Sequence, residues 1–129
     1  MKPLVAEWIA KAEADFSTLE REARARKNPN YDGICFHAQQ CAEKYLKARL
    51  CAAGLPIQKI HDLVRLLDIN LPLEPLWETF RSDLAHLTDA AVEFRYPGET
   101  ATRETAMQAR KLCRAFRSAA RLSLGLPTE

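Results

Sequence analysis

The chain has only 4 glycines in 129 residues, few β-branched residues, and no stretch that alternates apolar and polar residues over a strand's length. These absences argue against sheet and barrel architectures, which draw on β-branched residues and glycine-rich turns. No apolar run approaches the roughly 18–20 residues that a membrane span needs. The opening MKPLVAEWIAKAEADF carries acidic residues and lacks a signal-peptide apolar block, so a cytoplasmic protein is expected. The four cysteines, 35, 41, 51 and 113, form no C-x-x-C pair, and three fall on one predicted helix. A disulfide framework is not expected from that spacing in a helical cytosolic chain. His37 and Cys41 stand at i, i+4, as two metal ligands would, but no second ligand pair accompanies them. No metal and no cofactor are therefore expected, and Cys41 reads as a small packing residue. The net charge of +2 permits nucleic-acid binding without arguing for it.

What is present favours helix. Ala, Leu, Arg, Glu and Lys dominate, hydrophobic residues are 47% and charged residues 28%. Five helical segments are predicted. The first runs from about Pro3 to Arg26, with Val5, Trp8, Ile9, Ala12, Phe16, Leu19 and Ala23 as its apolar stripe. The second spans about Tyr31 to Ala53, with Asp32 as N-cap and Gly54 and Pro56 ending it. The third is short, near Ile60 to Ile69. The fourth runs from about Leu73 to Phe94, with apolar residues at 73, 76, 77, 80, 84, 87, 91 and 94. The fifth covers about Thr100 to Leu124. Short connections between long helices predict one all-α domain over residues 1–129, an up-and-down helical bundle of four long helices capped at one end by the short one.

The second helix carries the chemistry. His37, Gln40, Cys41 and Lys44 fall within an arc of about 100°, while Ile34, Ala38, Ala42, Tyr45 and Leu46 spread over the other side. Histidine and glutamine can orient a ligand by hydrogen bonds and lysine can neutralise phosphate, so this ridge suits nucleotide or phosphate binding better than catalysis. No activated nucleophile lies nearby. His61-Asp62 opens the third helix, where Asp62 suits a helix N-terminus and His61 either caps it or ties it to the second helix. Arg95 is favoured electrostatically at the end of the fourth helix; Tyr96 beside it either stacks on a base or covers the bundle end. On the fifth helix Arg103, Arg110, Arg114, Arg117 and Arg121 lie within about 60°. That basic ridge is either a surface for phosphate, RNA or an acidic partner, or a face balanced by Glu13, Glu20 and Glu22 of the first helix.

Three motifs, FHAQQCAEKYLKARL from Phe36, HDLVRLL from His61 and FRYPGE from Phe94, resemble the HEPN domain family (higher eukaryotes and prokaryotes nucleotide-binding). The likeness covers nearly the whole chain and includes an opening apolar helix with Trp8 and Asp15. It implies a helical bundle that usually forms a homodimer, and frequent partnership with a minimal nucleotidyltransferase encoded beside it, in toxin–antitoxin-like or regulatory systems. Some such proteins are toxin-like RNases; others bind nucleotides without cleaving RNA. The RNase branch carries Arg-x(4–6)-His after the penultimate long helix. Here Arg95 stands near that junction, but no histidine follows it through Thr102. The sequence departs from the nuclease pattern, and His37, Gln40, Lys44, Arg95 and Tyr96 are expected to bind rather than cleave. Arg81 and His86 form another Arg-x(4)-His, inside the fourth helix, where five positions separate two side chains by about 140°. That pair would serve a dimeric toxin endoribonuclease only by pairing across an interface. A plain helical adaptor, with the ridge packed against a second subunit, is the remaining reading.

Overall fold

Proline at the first helical position sets φ for α1, which runs Pro3–Arg24 in this computed structural model of residues 1–129. The remaining elements are α2 (Tyr31–Ala52), α3 (Leu63–Asn70), a 3₁₀ helix (Pro75–Phe80), α4 (Arg81–Glu93) and α5 (Arg103–Ser123). There are no strands, and the fold is the expected all-α bundle.

The helix with the most polar ridge is also the central one. Thirteen of the 22 residues of α2 are buried, because α2 packs most extensively against α1 and α5 and also touches α3 and α4. One core cluster of 28 residues runs through the bundle, with Leu19, Ile34, Tyr45, Leu46, Leu84, Leu87 and Phe116 fully enclosed. A polar group on α2 is therefore placed against a neighbouring helix unless it lies on the flank facing α3 and α4.

Asp32 is not the N-cap of α2. Asn30 takes that role, its Oδ1 accepting from the Gly33 N–H at 2.7 Å. The cap fits because residue 33 has no side chain: a Cβ there would lie 2.7 Å from the Asn30 amide nitrogen. Asp32 instead accepts from the Ala101 N–H at 2.7 Å and ties the start of α2 to the approach to α5. At the other end Gly54, at φ 75°, allows Leu55 N–H to reach back to the Leu50 carbonyl, and α2 stops where expected.

The third helix begins later than its apolar spacing implies, at Leu63, because Asp62 caps it by accepting from the N–H groups of Val64 and Arg65. The predicted fourth helix from Leu73 to Phe94 is two elements. Asn70, fully buried, donates from Nδ2 to the Leu46 and Leu66 carbonyls, and its own carbonyl accepts from Leu73 and Glu74. The chain then enters a 3₁₀ helix at Pro75. Its three-residue repeat sets Trp77 and Phe80 on one side, both edge-on to the Phe116 ring at 5.1 and 5.3 Å. Leu76, assigned to the apolar stripe by spacing, is left 84% exposed.

Candidate functional site: a polar groove beside α2

Two carboxylates, buried beneath flanking helices, organise the polar side chains of α2. Asp15 of α1 accepts from His37 Nδ1 at 2.7 Å and from Lys44 Nζ at 2.5 Å, which locks the His37–Lys44 edge of the ridge to α1. Cys41 between them is fully buried and faces Cys113 of α5; the hydrogen bond between the two thiols, together with burial, pushes its pKa well up. It packs, and it is not poised to react. One turn along the helix, Glu43 is 4% exposed. It accepts from Lys47 Nζ and Gln39 Nε2 at 3.0 Å each, and from His61 Nδ1 at 3.2 Å. Burial alone would raise the Glu43 carboxyl. These donors outweigh it and hold the pKa below the ordinary value. His61 thus ties the loop before α3 to α2, with Nδ1 toward Glu43 and the rest of its ring, largely exposed, at the surface.

Above Glu43 lies a groove of about 380 Å³. Gln39 and Gln40 of α2 line it with His61 and Asp62, and Thr88, Ala91, Val92 and Arg95 supply the α4 side. Gln39 binds the His61 carbonyl at 2.9 Å, and Gln40 donates to Gln39 at 2.7 Å, so the two amides form an oriented chain on the groove wall. A second depression, about 340 Å³, adjoins the first and shares Ala91 and Arg95 with it. It is lined by Asn30, Asp32, Gly33, Phe36, His37 and Phe94. The Arg95 guanidinium is exposed and has no carboxylate partner. Tyr96 is 64% exposed and lines neither depression.

Of the residues singled out by sequence, Gln40 and Arg95 meet in one depression and His37 and Arg95 in the other. Lys44 is turned to Asp15. Residues that sequence reasoning left unassigned complete the site: Gln39 and Thr88 on the wall, and the buried Glu43 that holds Gln39 and His61 in place. Gln39, Glu43 and Lys47 repeat at i, i+4, a ladder that signals one polar face. Thr88 carries no such signal.

The arginines of α5 mostly face α1. Arg117 makes a two-pronged contact with Glu13 at 2.7 Å and lies over the Phe16 ring. Arg121 reaches the Tyr45 hydroxyl at 3.0 Å, and that hydroxyl donates to Glu13 at 2.5 Å. Burial pushes Glu13 up, but Arg117, Tyr45 and Arg121 outweigh it and its carboxyl sits below the ordinary value. Arg110 pairs with Glu20 at 2.7 Å and Arg114 approaches the same carboxylate at 3.8 Å. Glu22 does not join this seam, since it accepts from the Asn30 N–H. Arg103 stays exposed without a partner. Arg81 is held by Glu78 and Asp68 at 2.7 and 2.6 Å, and His86 is exposed further along α4. No group of three or more His, Cys, Asp or Glu side chains converges as metal ligands would.

The architecture is that of an all-α bundle whose central helix presents a polar groove to the ends of two shorter helices. The HEPN domain family model matches residues 5–122, and the chain belongs to the HEPN domain family. That membership marks it as a nucleotide- or RNA-related module, of a kind that commonly dimerises. Neither the curated proteins nor the solved structures give a match. No helix is long and apolar enough to cross a membrane.

Proposed function

We propose that this HEPN module binds a nucleotide or other phosphate-bearing ligand in the groove between α2, the start of α3 and the end of α4. We further propose that it acts as a homodimer paired with a minimal nucleotidyltransferase, in a toxin–antitoxin-like or regulatory system. The observation that carries the binding reading is Arg95: a guanidinium without a carboxylate partner, at the edge of a groove lined by amides and a hydroxyl. An uncommitted guanidinium can meet a phosphate with two parallel charge-assisted hydrogen bonds. Gln40, oriented by its bond to Gln39, and the Thr88 hydroxyl offer donors and acceptors for a base or sugar. Tyr96 follows Arg95 in the chain and is exposed, so its ring is free to turn onto a base held at Arg95. Phosphate neutralisation falls to Arg95 rather than to Lys44, whose charge is matched by Asp15. His37 acts from the adjoining depression. Catalysis by Arg81 and His86 has less support, because Arg81 would first have to leave two carboxylates.

Calorimetric titration with AMP and ATP tests the reading. The intact chain should bind nucleotide; Arg95→Ala should weaken binding about tenfold or more, since a hydrogen bond involving a charged group contributes about 1.5–3 kcal/mol, and Gln40→Ala roughly threefold to tenfold, since a bond between neutral groups contributes about 0.5–1.5 kcal/mol. Far-UV circular dichroism should be unchanged, as both side chains lie outside the core. Absence of nucleotide binding, or affinity indifferent to Arg95→Ala, would overturn the assignment.

A further inference from the structure

The groove has two lobes and one divider. Ala91 and Arg95 belong to both depressions, so the free guanidinium stands between them. Each lobe also contains one aspartate. Asp62, in the first, caps α3 through its Oδ1, and Asp32, in the second, holds the Ala101 N–H. Across the groove the charges therefore run negative, positive, negative. A ligand that extends a di- or triphosphate from Arg95 into either lobe would bring its added charge toward a carboxylate, which opposes binding. A ligand with one central anionic phosphate and an uncharged group on each side would match the pattern.

The linings differ in a way that suits such a ligand. The first lobe offers the Gln40 amide, held in place by Gln39, and the Thr88 hydroxyl, which can read the edge of a base. The second offers Phe36, Phe94 and His37. Phe36 is 39% exposed and meets the His37 ring edge-on at 5.2 Å, so its ring is fixed while part of its surface stays open to a planar partner. Aromatic faces accept any base by stacking. Each lobe falls within the usual size range of small-molecule sites, roughly 300–1,000 Å³.

We infer that the two lobes take the two nucleosides of a dinucleoside monophosphate, with its phosphodiester on Arg95. This rests on the nucleotide-binding reading and specifies its ligand: one nucleoside read by Gln40 and Thr88, the other stacked on Phe36. Carboxylates in both lobes can accept hydrogen bonds from ribose hydroxyls or base amino groups.

Calorimetry with the full chain and three probes, AMP, ATP and ApA, tests it. ApA should bind about tenfold more tightly than AMP, the gain expected from one stacked base, and ATP no more tightly than AMP. Phe36→Ala should lower ApA affinity about tenfold and abolish its advantage over AMP. Phe36→Leu, which keeps apolar bulk without an aromatic face, should do the same. Gln40→Ala and Arg95→Ala should weaken both ligands. AMP binding that depends on Arg95 and Gln40, combined with no gain for ApA or with equal losses for AMP and ApA in the Phe36 variants, would refute the two-lobe ligand and leave the nucleotide site standing. Tighter binding of ATP than of ApA would also refute it. Failure of all three probes to bind would remove both.

Discussion

Replacing Lys47 by methionine would break the ion pair beneath the groove from one side. Lys47 and Glu43 are one helical turn apart, 3.0 Å between charged atoms, with side chains 6% and 5% exposed. Methionine retains apolar bulk but removes the ammonium, together with its position 5.8 Å from the centroid of the Trp8 ring. Glu43 then stays buried with only the Gln39 amide and the His61 imidazole as donors. Breaking a buried pair from one side typically costs about 3–5 kcal/mol. The two surviving donors argue for the lower end, about 3 kcal/mol, a large share of the roughly 5–15 kcal/mol that holds a domain together. In a chain of 129 residues this lowers Tm by roughly 10 °C. The pH dependence gives an independent check. In the native protein Glu43 lies below the ordinary carboxylate value. Its contribution is full above the unfolded pKa and is lost as pH falls through the folded one. In Lys47→Met, burial is expected to dominate and reverse the shift. The penalty is then full at neutral pH and disappears as Glu43 becomes protonated. The stability gap between variant and native protein should therefore narrow from pH 7 toward pH 4.5. Glu43→Gln combined with Lys47→Met should recover about 2 kcal/mol relative to the single variant, because no charge is left unpaired. Urea denaturation at several pH values measures all three quantities. A single-variant loss under about 1 kcal/mol, or a gap that does not change with pH, would refute the argument.

Two further outcomes follow from local geometry. Gly33→Ala should cost about 1 kcal/mol, the usual value of an N-cap, since its Cβ would displace the Asn30 side chain that closes the first turn of α2; thermal denaturation checks this, and no loss would show that Asn30 contributes little. The four cysteines should resist alkylation by iodoacetamide at pH 7.5 until the protein unfolds, because all are buried and burial beside Asp32 and Glu93 pushes Cys35 up to about 11; rapid modification of the folded chain would contradict that burial.

The fold was legible where local pattern and packing demand the same thing. α1 begins at its predicted Pro3, whose residue type announces a first turn, and α5 begins three residues after the predicted Thr100, because Thr102 caps it by accepting from the Thr105 N–H. α2 ends at Gly54 for the same reason. The break before α4 was not legible. Apolar residues at 73, 76, 77, 80 and 84 suit a continuous α-helix as well as they suit a 3₁₀ segment followed by one. The choice falls to Phe116, which is distant in sequence and receives Trp77 and Phe80 edge-on. The caps of α2 and α3 divide similarly. Asp62 caps its own helix, whereas Asp32 is drawn to a backbone N–H 69 residues away, which no local rule can foresee.

The groove was legible in part for a related reason. Grouping on one arc of α2 identifies residues that share a direction, but not what stands opposite. Lys44 and His37 look across at Asp15, so one edge of the arc is an internal ion-pair seam with His37 left bordering a depression. Gln40, at the other edge, faces the end of α4 and borders the groove. The arginines of α5 divide likewise: an acidic face on α1 engages Arg110, Arg114, Arg117 and Arg121 and leaves Arg103 unmatched. A positive charge is available to a ligand only after its intramolecular carboxylates have been counted. By that count the proposed anion site beside α2 rests on Arg95, which borders both depressions without a carboxylate partner, and not on Lys44 of the ridge.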